Sequence, residues 1–315
     1  MLNPFAEVDF KTSGGHDAYN ALQTQLVRRS NSGLTLAAQY TYSKSFGNST
    51  GSNEARTVGN PFDYNYDEGY NLFDVRHAAN VSALYDLPVG RNKHYLSNSN
   101  AIVEGILGNW QVGTIVSARS GLPVEIYVTR PDILYQDPSG KFFGSPQCPG
   151  FAKCSDPGAI ASTHVVINTP GGGSSRAFRR PDLVPGVNPI LPSGYLNPAA
   201  FAVPMPGTYG NLQRGSIHGP GDWQADLTVQ KRFPIRETMN VEFRAEVYNL
   251  LNHPNFANPP GTIAPSFSTT VQPGQPLTST TAGNGGAFGK FNQTLSTSVG
   301  TGANRQIQLA LRLNF

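Results

Sequence analysis

Charge is scarce in this sequence. Asp, Glu, Lys and Arg together make 14% of its 315 residues, whereas a soluble globular domain carries about 25%. Any polar surface must therefore be built from amides and hydroxyls. The net charge is only +3 and the basic residues form no run, so no electropositive stripe for nucleic acid is expected. No stretch approaches the ~18 consecutive apolar residues of a membrane-spanning helix. The opening Met1-Leu2-Asn3-Pro4-Phe5-Ala6 lacks the basic and apolar regions of a signal peptide. The expectation is either a cytosolic protein or a piece of a longer exported chain. Cysteine is limited to Cys148 and Cys154, without the second pair or the histidines that a zinc site needs. A small disulfide loop in an oxidising compartment is favoured over free thiols. Pro146, Pro149 and Pro157 favour turns that bring two Cα atoms within the ~4.4–6.8 Å a bridge requires.

Helical periodicity is also hard to find. What recurs is alternation with a period of two. Ile307, Leu309, Leu311, Leu313 and Phe315 are separated by Gln306, Gln308, Arg312 and Asn314, Ala310 being the exception. Trp223, Ala225, Leu227, Val229 and Phe233 alternate with Asp222, Gln224, Asp226, Thr228, Gln230 and Arg232. Met239, Val241, Phe243, Ala245 and Val247 alternate with Asn240, Glu242, Arg244, Glu246 and Tyr248. Upstream, the same pattern gives Leu34, Leu36, Ala38, Tyr40 and Tyr42; then Ala79, Val81, Ala83, Tyr85 and Leu87; then Trp110, Val112, Thr114 and Val116. A weaker first segment runs from Tyr19 to Arg29, with Leu22 and Leu26 on its apolar face. That makes seven predicted strands, each near the ~9–11 residues of a tilted strand that crosses a membrane.

The connections between them fall into two classes. Ser30–Gly33 and Pro234–Thr238 are tight turns, and Pro88–Glu104 is intermediate. Gly47–Asp74, Ser120–Gly221 and Asn252–Asn304 are long, polar and rich in Gly, Pro, Ser and Asn. Short and long connections alternate along the chain. Loops beyond ~12–15 residues are uncommon in compact soluble domains, whereas short periplasmic turns and long extracellular loops are the rule in outer-membrane barrels. With the short turns periplasmic, the last strand runs downward and leaves the C-terminus in the periplasm. A soluble β-sandwich also has alternating strands, but the aromatics speak against it. Tyr40, Tyr42, Tyr85, Trp110, Trp223, Phe233 and Phe315 lie on the apolar face near strand ends, where membrane girdles sit. The expected fold is all-β: part of a transmembrane antiparallel barrel, about seven strands in an open sheet, with long extracellular loops.

Residues with chemistry are few. His77, His218 and His253 stand singly, with no serine at a nucleophile elbow, so no catalytic residue and no enzyme is expected. Asp63-Tyr64-Asn65-Tyr66-Asp67-Glu68-Gly69, followed by Tyr70 and Asp74, is the most suggestive stretch. Its carboxylates have some of the spacing of a calcium loop, but Glu68 stands where an EF-hand needs glycine, so neither metal nor cofactor is assigned. Asp63, Tyr64, Tyr66, Asp67 and Tyr70 are instead a candidate contact patch for an external ligand, with a plain solvated loop as the alternative. Gly171–Ser175 follows no strand and opens no helix, the context a phosphate cradle needs. Within the hairpin from Trp223 to Val247, Asp226, Arg232, Glu242, Arg244 and Glu246 are expected to form a charge network in the lumen. Arg244 is expected between Asp226 and Glu246 or close to one of them.

Several stretches resemble a known family. Tyr19–Gln23, Tyr40–Ser45, Asp74–His77, Leu84–Gly90, Asn109–Val112, Ser120–Pro123 and the terminal Arg305–Phe315 are similar to the late barrel strands of Oar-like TonB-dependent receptors. The most specific stretch is Phe243-Arg244-Ala245-Glu246-Val247-Tyr248-Asn249-Leu250-Leu251-Asn252-His253-Pro254-Asn255-Phe256. The resemblance implies a full-length protein with a carboxypeptidase-regulatory-like domain, a plug and a 22-stranded barrel. Residues 1–315 would then be the C-terminal part of that barrel, without plug, TonB box or signal peptide. The implied function is uptake of an unidentified external ligand; a structural or adhesin-like barrel without transport is the alternative. The implied partners are outer-membrane lipid, the barrel-assembly machinery, an external ligand and, only through regions not in this chain, TonB. Ile307, Leu309, Leu311, Leu313 and Phe315 resemble the C-terminal signal that the assembly machinery reads.

Overall fold

A computed structural model describes residues 13–48, 58–170, 179–192, 196–236, 239–268, 270–295 and 304–315. The glycine run at 171–175 and turn residues Glu237 and Thr238 lie outside the described residues. Seven long strands carry the fold: β1 Asp17–Arg29, β2 Leu34–Gly47, β3 His77–Asp86, β4 Trp110–Arg119, β5 Asp222–Pro234, β6 Asn240–Tyr248 and β7 Gln306–Asn314. Each overlaps one of the strands expected from alternation. They pair antiparallel in strict chain order from β1 to β7. A two-residue strand, Gly69–Tyr70, adds to the far end of β2. Among the described residues β1 and β7 each pair with one long neighbour, so the sheet is open.

The register explains why the alternation matters. Leu34, Tyr85, Val112, Val229, Ala245 and Leu309 form one row across six strands. The next row is Leu36, Ala83, Thr114, Leu227, Val247 and Ile307. On the opposite face, Gln25, Gln39, Asn80, Ser117 and Gln224 make a row of amides and hydroxyls. The apolar residues of seven separate segments therefore fall on one continuous face. A slip of one residue in any strand would turn its apolar set to the other side.

Among the described residues most of that face has no protein cover. Leu22 and Leu26 are each 61% exposed, and Leu309 and Leu311 are 67% and 74% exposed. A patch of this extent is far beyond what a water-facing monomer tolerates and matches what hydrocarbon requires. Trp223 and Phe233 bound it on β5. Their separation, ten residue steps at ~3.4 Å, is about 34 Å along the strand, which a ~40° tilt reduces to about 26 Å, close to the height of an outer-membrane apolar band.

The hydrophobic core lies elsewhere. Val124, Ile126, Leu134, Phe142, Phe201 and Val203 come from the connection after β4; Ile263, Phe267, Leu277 and Phe288 come from the one after β6. The long connections, polar in overall composition, are packed and paired here. Tyr127–Val128 pairs in parallel with Thr262–Ile263, Ile133–Gln136 sits between Phe142–Phe143 and His164–Ile167, and Asp182–Leu183 pairs with Phe201–Ala202. Leu134, Phe201 and Ile263 are fully buried, each contributing about 1.5–3 kcal/mol. The long connections thus build a loop module at one end of the sheet. The intermediate connection at the other end carries a short helix, α1 Ala101–Leu107.

Candidate functional site

The loop module is held to the strands by buried polar ties. Asp74 is 1% exposed; its Oδ1 accepts from Ser45 N at 2.5 Å, while Arg76 and His218 lie 3.4 and 3.7 Å from Oδ2. Asn71, fully buried, donates to Ser45 Oγ and Asp17 Oδ1 and accepts from Arg214 at 3.1 Å. Arg214 also donates to Gly47 O, so a residue just ahead of β5 clamps the end of β2. Gly69 is required here: a Cβ on it would come 2.2 Å from Arg214 O. The buried charges of Asp74 and Arg214 are tolerated because each accepts or donates a hydrogen bond here.

The suggestive stretch lies beside this clamp. Tyr64–Asp67 is one turn of 3-10 helix, capped by Asp63, whose Oδ1 accepts from Asn65 N at 3.0 Å. Tyr66 and Asp67 turn inward to Arg180. The guanidinium stacks on the Tyr66 ring at 3.7 Å, donates to Tyr66 O and pairs with Asp67 Oδ1 at 3.0 Å. Tyr209 covers the same ring at 5.1 Å, and the Tyr66 hydroxyl donates to Gly210 O at 2.9 Å. Burial holds the Tyr66 hydroxyl above its ordinary pKa, against the lowering effect of Arg180. Tyr70 packs edge-on to Phe46, with Lys44 and Arg76 over its ring at 5.6 and 5.0 Å. The five candidate contact residues are therefore split: Asp63 is exposed, Tyr64 is half-buried, and the other three are tied into the module. The carboxylates of the stretch do not converge, and among the described residues no three His, Cys, Asp or Glu side chains form a metal-binding group.

Between these parts opens a small cleft. Its floor is made of core residues Val124, Ile126, Leu212 and Ile217; its rim carries Asp67, Arg180, Arg214, Gly59 and Ser216. An apolar floor with a few fixed polar groups is the ordinary anatomy of a small-molecule site. Deeper in the module Arg130 donates to the carbonyls of Asn168, Pro204, Met205 and Thr208. Burial pulls its pKa down to about 10, and it remains a cation that cross-braces the loop after β4.

The comparison with known proteins adds the class of the whole. Residues 1–308 match the family model described as an outer membrane beta barrel domain. The chain belongs to that family. No curated protein and no solved structure gave a match to it. The match covers the sheet and the loop module alike and places the protein in the cell outer membrane, which accounts for the uncovered apolar face.

Within this outer-membrane barrel, the other sequence-derived residues take up definite places. On the polar face Arg232 pairs with Glu242 at 3.7 Å, and Arg244 lies 2.9 Å from Glu242 and 3.5 Å from Glu246. Asp226 stands apart from them: its Oδ1 accepts from Gln224 Nε2 and from Asn249 N, both at 2.8 Å. The register leaves Arg244 opposite Gln230, and Asp226 is spent on capping the turn after β6. Cys148 and Cys154 are bridged, with Cα atoms 5.3 Å apart, within the loop module. Ile307, Leu309, Leu311 and Leu313 share the apolar face of β7, with the 94% exposed Phe315 just beyond it. The histidines serve as neighbours: His77 Nδ1 lies 2.9 Å from Tyr40 Oη, and the His253 ring lies 4.5 Å from Trp223.

Alternation passed over Lys231. It stands on the apolar face opposite Trp110, yet is only 3% exposed. Its ammonium donates to Gly108 O at 2.5 Å and lies over the rings of Trp110 and Phe233 at 4.9 and 5.0 Å. The readable signal was a cation flanked by aromatics at a strand end, where a lysine bends its head out of the hydrocarbon.

Proposed function

We propose that the chain is the ligand-capturing, loop-bearing part of a TonB-dependent receptor that imports an external compound, and that it is not an enzyme. The observation that carries this reading is the cleft. Long loops that only shielded a barrel would have no need of a packed core, whereas here two of them share one and the cleft opens against its floor. The apolar floor and a rim with charges of both signs suit a small amphipathic ligand. The similarity of Phe243–Phe256 to Oar-like receptors supports the same reading and implies that plug and TonB contact come from other parts of the full protein. The assembly machinery, reading Ile307 to Phe315, would be the partner that inserts it.

A structural or adhesin-like barrel is the second reading, favoured by the exposed apolar side chains Ile160, Val165 and Ile167 of the connection after β4. Uptake separates the two. Cells carrying the intact protein should deplete the medium of one or more small compounds, and loss of the proton-motive force or of TonB should stop it. Replacing Ser216 by Trp at the cleft rim should lower that uptake without lowering the amount of protein in the outer membrane. A metabolite profile unchanged by deletion of the protein would sink the transport reading.

A further inference from the structure

The connection between β3 and β4 shows an apolar surface that its own fold does not explain. Helix α1 has seven residues, Ala101–Leu107, capped by Asn100, whose side chain accepts from Val103 N at 2.9 Å. So short a helix is not stable by itself in water, and this one turns its apolar side outward: Ile102 is 74% and Ile106 61% exposed. These two lie one turn apart on the same face. The opposite side is fixed inward by Glu104. Its carboxylate accepts from Arg91 N at 2.5 Å, Asn109 Nδ2 at 3.1 Å and Ser99 Oγ at 3.3 Å. Gly108 permits this closure, since a Cβ there would come 2.4 Å from Glu104 Oε1.

The position of α1 is set by the membrane face of the sheet. The Trp110 indole donates to Ile106 O at 2.9 Å and the Lys231 ammonium to Gly108 O. Trp110 and Lys231 are paired across β4 and β5 on the apolar face. The C-terminal end of the helix is therefore tied to the edge of the lipid-facing band, at the end of the sheet away from the loop module, which sets Ile106 and, one turn away, the exposed Ile102 beside that band. Glu104 is withdrawn into the connection, while Arg91 and Lys93 stay exposed; the outward charge of this segment is positive.

We propose that residues 88–109 form a membrane-surface foot, in which Ile102 and Ile106 enter the acyl boundary of the periplasmic leaflet while Arg91 and Lys93 bind the phosphates of anionic phospholipid. The occupant is lipid, because the exposed patch is continuous with a face that already contacts lipid. Electrostatic attraction and buried apolar area act together in such interfacial segments. The foot stands on the outer-membrane placement of the sheet and is independent of whether the barrel imports anything.

Nitroxide depth measurement tests this. With the two native cysteines tied to each other, a single cysteine is introduced as Ile102→Cys or Ile106→Cys, with Asn98→Cys as the reference. The full protein, extracted from its own membranes and heat-modifiable on gels, is reconstituted into phosphatidylcholine vesicles with or without an equal part of phosphatidylglycerol. Labels at 102 and 106 should collide several-fold more with lipid-soluble oxygen than with a water-soluble nickel chelate, and the label at 98 should do the reverse. With Arg91→Gln and Lys93→Gln together, both labels should shift toward water in the phosphatidylglycerol vesicles only. The foot is overturned if labels at 102 and 106 behave like the one at 98, or if both reagents are excluded because protein covers the helix. Depth unchanged by the double substitution in anionic vesicles overturns the headgroup contact. Two positions one turn apart are read separately, so a label that disturbs the helix at one leaves the other to decide.

Discussion

Arg180 shows how much of the site depends on single side chains. It stacks on Tyr66, pairs with Asp67 and donates to the backbone between them. Its side chain is 7% exposed and that of Asp67 15%. Removing one partner of a buried pair strands the other charge, at a cost of about 3–5 kcal/mol. Arg180→Gln is therefore expected to open the loop module to proteases in the 58–70 and 179–183 segments while the strands keep their resistance. Limited digestion of the membrane-embedded protein checks this; a wild-type digestion pattern would show that the pair holds nothing. The sequence made the acidic-aromatic stretch conspicuous but could not show which way it faced. Tyr66 and Asp67 look like a ligand patch until their partner is known, and that partner is 113 residues away, reached only through the folding of two loops. Asp226 was misassigned for a similar reason. Alternation puts it on the correct face, but its carboxylate is held by Gln224 on its own strand and by a backbone N–H in the turn after β6, and the second of these no side-chain pattern reports.

At the scale of the strand, the reading from sequence was nearly complete. A membrane strand meets two unlike solvents, lipid and lumen, so its sequence must alternate along its whole length, and the register then aligns what each strand shows separately. β5 gives the sharpest test. Leu227 and Thr228 are adjacent, pair with Val247 and Glu246 respectively, and point to opposite faces near mid-membrane. Leu227→Arg should destabilise the folded protein by ~2–4 kcal/mol, whereas Thr228→Arg on the lumen face should cost far less. Urea titration of the two variants in lipid vesicles measures the difference; equal costs would mean that the two faces are not lipid and lumen. The loop elements were illegible for the complementary reason. Strands such as Tyr127–Val128 and Thr262–Ile263 are two residues long, too short for any period to emerge. What joins them is contact between segments more than a hundred residues apart.

For the whole molecule, the decisive fact is the open sheet. Among the described residues β1 and β7 each leave one edge without a long partner strand, and an unsatisfied backbone group in hydrocarbon costs several kcal/mol. Flat apolar edges also invite aggregation. Residues 1–315 expressed with an added export signal, and nothing else, are expected to aggregate and not to give a heat-modifiable, protease-resistant barrel. Recovery of such a barrel in the outer membrane would show that the edges close by other means, either on each other or on a second copy. Where the core sits has a further consequence. The strands are held by hydrogen bonds and an oily surrounding, but the loop module is held by water, through side chains such as Phe201 and Ile263 that water excludes. Water's share in that bargain weakens as temperature falls. Winter, for such a cell, would reach the barrel's loop module first: its packing would slacken in the cold while the strands beneath stayed as firmly paired as before.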